Sequence, residues 1–254
     1  MTSISNGRKK SGLAWWSVAV WLCIWQLAAM AIGRNVLLAS PVLVARTLFA
    51  LAGTRTFYSA VLFSLTRIAL GFSIACVLGL ALAIGSYRHR FFEQLTEPAI
   101  RVIKSIPVAS FIILVLVWVS SKNLSVIISL LIVLPVIYSN TLEGLRRTDE
   151  KLLEMARVFR VRPLQKVRYI YVPQTFGYFK SGCSIALGLA WKSGIAAEVI
   201  GMPLGSMGEQ LYQSKVFLDT PQLMAWTVAL VALSFAFEKL VMALLDLAQG
   251  RVER

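Results

Sequence analysis

Apolar residues in this chain come in long unbroken blocks, without the alternation that marks a half-buried strand. Leu13–Ile32 carries no charge and matches the about 20 residues that one bilayer crossing requires. Further blocks lie near 58–86, 105–121, 123–142, 176–199 and 220–245. Continuous runs predict helices, because a membrane barrel alternates apolar and polar positions. The expected fold class is therefore an all-α membrane protein with six transmembrane helices, a single domain over 1–254. A short basic segment, 1–12, precedes the first block. That block exceeds the about 7–15 apolar residues of a signal peptide and reads as a retained span. Two connections are too long for tight turns. Pro41–Ala52 reads as a short surface helix, and 199–221, rich in glycine, reads as a turn followed by another.

Composition supports the same class. Hydrophobic residues make up 57% of the chain and charged residues 15%, against about 25% in soluble domains. The net charge of +14 falls between the apolar blocks, so anionic lipid headgroups, and not nucleic acid, are its expected partner. With the N-terminus inside, Lys and Arg in the inner connections outnumber those in the outer ones by more than three to one. This predicts cytoplasmic termini and a cytoplasmic loop over 144–174. Cys23, Cys76, Cys183 and the lone His89 form no metal-ligand pattern, and no Walker A, HExxH or GxSxG motif occurs. No catalytic residue or metal is expected, so any active transport must draw its energy from a partner or an ion gradient.

Within the second block Gly71, Ala75, Gly79 and Ala83 recur every four residues, a ridge that allows close helix approach. Four ionisable residues lie in or near spans: Arg67, Lys180, Lys192 and Glu198. An intramembrane Lys is a functional candidate. Trp191 and Glu198, seven apart, share a helix face, so Arg67, Trp191, Lys192 and Glu198 are candidates for a translocation path. An interhelix hydrogen bond is the competing role for Lys192.

The loop 144–174 holds the densest basic run. Asp149–Val161 reads as a short amphipathic helix with Leu152, Leu153, Ala156 and Phe159 on one face, and Pro163 interrupts it. A lipid anchor would not need that apolar face, whereas a helix presented to a protein partner would.

These residues resemble the loop motif of bacterial ABC importer permeases: Glu154-Met155-Ala156, then Arg160, then Ile170-Tyr171-Val172-Pro173. Met155 replaces the family's Ala and Arg160 its Gly. Ser64-Leu65-Thr66-Arg67 with Gly71-Phe72 and Gly79 is similar to the nitrate/sulfonate/taurine-type members. So are Pro98 to Pro107, Asn140-Thr141 with Gly144, and Ala197-Glu198-Val199-Ile200-Gly201 with Gly205 and Gly208. Trp118-Val119-Ser120-Ser121-Lys122-Asn123 departs from that subfamily's Trp-Phe-Gly-x-Gly stretch.

The resemblance implies a multi-pass permease of the bacterial inner membrane that moves a small anionic or zwitterionic solute by alternating access. It implies a coupling helix in which Leu152, Leu153, Glu154, Met155, Ala156, Arg157, Phe159, Arg160 and Pro173 meet an ATPase. The implied partners are two ABC ATPase subunits, an extracytoplasmic solute-binding protein, a second copy of this chain and membrane lipids. ATP and Mg would be bound by the ATPases, and this chain would bind no cofactor. The alternatives are a scaffold component of an energy-coupling-factor vitamin importer, which needs long cytoplasmic helices, and an intramembrane enzyme or lipid-interacting protein, which needs a catalytic constellation.

Overall fold

The computed structural model describes residues 15–252. The basic segment 1–12 lies outside them. Among the described residues every regular element is helical. Helix α1 is Trp15–Ile32, and α2 is Pro41–Ala52, with the bounds expected of the surface helix. The Ser40 hydroxyl caps α2 by accepting from the Leu43 N–H, and Pro41 occupies the first turn, where its missing donor costs nothing.

Three long helices make the centre. They are α3 (Arg55–Arg88), α6 (Ser121–Arg146) and α9 (Val172–Gly201). Gly71, Ala75, Gly79 and Ala83 are all buried along α3. A Cβ at Gly71 would lie 2.4 Å from the Val126 carbonyl oxygen, and one at Gly79 would lie 2.9 Å from Ile137 Cγ2, so the ridge sets how closely α6 can approach. Gly194 of α9 faces Ile68 and Ser129 as tightly, and the Ser129 hydroxyl donates to the Ala190 carbonyl at 3.2 Å. Ile68, Phe72, Val133, Ile137, Leu187 and Ala190 belong to the core the three helices share.

The third expected span, 105–121, is not one helix. Helix α4 (Arg90–Ser105) and α5 (Val108–Leu116) form a pair bent by 104°. Pro107 supplies the physical reason: it holds Ile106 extended, at φ −78° and ψ 128°, and helix cannot continue through it. Only the nine residues of α5 are uncharged helix, while α4 carries Glu93, Glu97, Arg101 and Lys104. Ion pairing of Glu93 with Arg146 and donation from Lys104 Nζ to Ser139 Oγ at 2.8 Å tie α4 to α6.

Among the described residues four helices are long and apolar enough to cross a membrane, or five if the bent pair counts as one, and α1 is a shorter apolar helix. The last crossing is α11 (Thr220–Val252), joined to α9 through α10 (Met207–Val216). Phe237 of α11 meets Phe72 and Trp191 edge-on, with ring centroids 6.4 and 6.0 Å apart.

Candidate functional site

The loop between α6 and α9 folds as a pinned hairpin. Helix α7 is Glu150–Val158, within the Asp149–Val161 expected. Asp149 caps it, accepting from the Lys151 N–H at 2.9 Å, while its own N–H donates to Gln174 Oε1 at 2.8 Å. That second bond ties the start of α7 to the start of α9. At the far end the Val161 N–H reaches the Ala156 carbonyl and the Arg160 N–H reaches Arg157. This is the two-bond Schellman closure, and it requires a left-handed residue at Arg160. Arg160 takes that conformation, with φ 49°. The substitution of Arg for the motif's Gly therefore keeps the turn and loads it with strain.

A four-residue helix α8 (Pro163–Lys166) then runs through a π-helical turn, Val167–Tyr171, into α9. Pro173 stands in the first turn of α9. Proline has no N–H to give the carbonyl four residues back, and widening the preceding turn lets the helix pass. The Val172 N–H accordingly bonds the Val167 carbonyl, five residues earlier.

The faces of α7 differ from the sequence expectation. Ala156 is wholly buried and Leu153 half-buried, both against the protein. They therefore offer no outward apolar contact, because the pinned hairpin turns that side of α7 inward. Leu152, Met155, Val158 and Phe159 point out, with Val158 78% and Phe159 74% exposed. Glu154, Arg157 and Arg160 are exposed around them. In the sequence Leu153 and Ala156 give as good a helical face as 152, 155 and 159, so the pattern does not single out Val158, which the structure exposes beside Phe159.

The four candidate path residues do not gather. Lys192 is exposed on the open side of α9 and has no ion-pair partner among the described residues. Gly177 and Gly188 open onto this side, and a Cβ on either would meet nothing within 4 Å. Trp191 turns into the core against Phe237. Arg67 is half-buried, lies over the Phe63 ring and donates from Nε to the Lys122 carbonyl at 2.5 Å, holding α3 to the start of α6. Lys180 pairs with Asp246 of α11.

Glu198 is 0% exposed, and its shared face with Trp191 is the inner one. Its Oε2 accepts from Ser64 Oγ at 2.6 Å and from the Gly208 N–H at 3.3 Å, and Ser64 Oγ accepts in turn from the Met207 N–H at 3.0 Å. The carboxylate therefore joins α3 and α9 to the first turn of α10. A Cβ at Gly208 would come 2.3 Å from Glu198 Cβ, so only glycine permits this approach. Beside it, Ser206 and Glu209 form a capping pair: Ser206 Oγ accepts from the Glu209 N–H, and Glu209 Oε2 accepts from the Gly205 N–H at 2.5 Å.

Residues 75–254, covering the hairpin, Glu198 and Gly208 but not Ser64, match the family described as the binding-protein-dependent transport system inner membrane component. The chain belongs to that family. This permease is 29% identical over 216 residues to a nitrate import permease protein of Synechocystis, covering 80% of this chain and 78% of the relative. It is 25% identical over 230 residues to the taurine transport system permease protein of Escherichia coli, at 87% and 83% coverage. A bicarbonate transport system permease protein of Synechococcus elongatus is 29% identical over 61% of this chain and 59% of its own length. The permease also superposes on a solved amino acid ABC transporter chain, with a TM-score of 0.59 at 17% identity, covering 77% of this chain and 94% of that one. That likeness concerns the fold. The permease is thus an inner-membrane transport component of the ABC importer class, of the type its loop and span motifs resemble.

Proposed function

We propose that this permease, as a pair of identical chains, carries a small anionic or zwitterionic solute inward by alternating access, driven by two separate ATPases and supplied by an external solute-binding protein. The observation that carries the reading is the outward face of α7. Leu152, Met155, Val158 and Phe159 present a compact apolar patch ringed by Glu154, Arg157 and Arg160, on a helix pinned to its neighbours. Exposed apolar anchors within a charged rim suit a protein groove. An excess of Lys and Arg at this end of the helices favours its cytoplasmic placement, with both termini on that side.

The nitrate, bicarbonate and taurine named for the relatives are small anions or a zwitterion. The open side of α9, with Gly177, Gly188 and Lys192, is where a second copy would sit, and two Lys192 ammonium groups would then favour an anion in the space between. A vitamin-importer scaffold fits less well, since α7 has nine residues.

The test is co-purification. A tagged permease brings down its ATPase, and Phe159→Ser with Leu152→Ser reduces recovery at least tenfold while leaving the permease in the membrane. Unchanged recovery and normal solute uptake into vesicles would sink the coupling assignment.

A further inference from the structure

Where the C-terminal parts of α3 and α6 meet the start of α9, the helices leave a crevice of about 390 Å³. Its walls are apolar: Leu80 and Ile84 on α3, Leu145 on α6, and Val172 and Phe176 on α9 contribute to them. At its hairpin end stand Tyr87 and Tyr171, with hydroxyls 3.5 Å apart and rings edge-to-face, and Arg88. Arg88 has no ion-pair partner among the described residues, and no carboxylate lines the crevice. Thr141 and Thr175, 0% and 7% exposed, lie in the wall with hydroxyls that have no partner.

We propose that this crevice is a binding site for an anionic phospholipid of the inner leaflet. One acyl chain lies between α3 and α9, the ester region meets the two tyrosines, and the phosphate meets Arg88. The inference rests on the proposed orientation, which puts this end of α3 at the cytoplasmic surface. A small hydrated anion has no use for such walls, whereas an acyl chain has. The exposed Tyr87 and Tyr171 hydroxyls supply donors that an ester carbonyl can accept from. An arginine at the interface favours anionic over zwitterionic headgroups by a factor of about five. The π-helical turn forms part of the wall, so an occupied crevice props the segment that joins α7 to α9.

The assay uses the full permease–ATPase complex in nanodiscs of equal phosphatidylglycerol and phosphatidylcholine, with retained lipid counted by native mass spectrometry. Phosphatidylglycerol should be retained about fivefold over phosphatidylcholine. Arg88→Gln should abolish that preference, and Ile84→Trp, which fills the crevice, should lower retention of both lipids. On the unaltered complex, a diazirine on the acyl chain should cross-link within 167–179, which keeps the test decisive if Ile84→Trp fails to assemble. Absence of that cross-link, or a preference that survives Arg88→Gln, overturns the site. Displacement by glycerol phosphate as strong as by phosphatidylglycerol overturns the acyl-chain assignment. Thiol labelling of a Lys122→Cys variant in the same discs reports orientation independently, so an error there is told apart from an empty crevice.

Discussion

Replacing Glu198 should separate two roles that a buried carboxylate can have, holding helices together or acting by its charge. Glu198→Ala removes the acceptor of the 2.6 Å bond from Ser64 and of the 3.3 Å bond from Gly208. Ser64 keeps its bond from the Met207 N–H, but the Gly208 N–H is left buried without a partner. An orphaned donor costs about 1–3 kcal/mol, and the lost side-chain volume in a closed site adds to that. Together the two come to about 3–5 kcal/mol. Glu198→Gln keeps a carbonyl oxygen where Oε2 stands and places its amide where the unpartnered Oε1 is. Its cost is about 1 kcal/mol. Thermal unfolding of the purified permease, followed by tryptophan fluorescence, should show a loss for Ala at least three times that for Gln. Gly208→Ala should resemble Glu198→Ala, because its Cβ has no room beside Glu198. An Ala variant as stable as the original would refute the junction. A Gln variant as damaged as Ala would show that charge, and not hydrogen bonding, is what the site needs.

Three more outcomes follow from the geometry. Gly71→Val must push α3 off the Val126 carbonyl and should cost about 1–3 kcal/mol or more, measured by the same unfolding assay, whereas Gly188→Ala, with open space around it, should leave the single chain's stability unchanged. Arg160→Gly should relieve a left-handed conformation that costs L-residues about 1–2 kcal/mol, so proteolysis of the hairpin should slow; Arg160→Ala, equally strained, should not slow it. Lys192→Met should slow uptake of an anionic solute into reconstituted vesicles while basal ATP hydrolysis and assembly persist; uptake at the original rate would reduce Lys192 to a surface residue.

Elements whose cause is local were readable in the chain. Ser40-Pro41 announces α2 by a cap and a tolerated proline, and Asp149 announces α7 in the same way. The small-residue ridge on α3 needed only a period of four to be seen, and the structure buries it against α6. What the sequence hid depends on distant or exceptional backbone. Pro107 ends α4, yet in an apolar run it looked like part of a span. Glu198 and Ser64 are 134 positions apart, so nothing in the local pattern distinguishes a path-lining carboxylate from one that ties three helices. A glycine at position 160 would have signalled the left-handed turn; arginine takes the same angle without the signal.

These particulars bear on how force could travel from the hairpin. Asp149 is bonded to Gln174, which links the start of α7 to the first turn of α9. The π-helical turn keeps the chain helical past Pro173, where a plain break would make a hinge. From there α9 runs unbroken for 30 residues, about 45 Å at 1.5 Å per residue, to Gly201. Near its far end Glu198 is fixed to α3 and to α10. A rigid rod held at both ends passes a tilt imposed at α7 to the opposite surface, whereas a hinge at Pro173 would absorb it. On the proposed function, the strain at Arg160 and the widened turn before Pro173 lie at the two places where a flexible residue would uncouple the hairpin from α9.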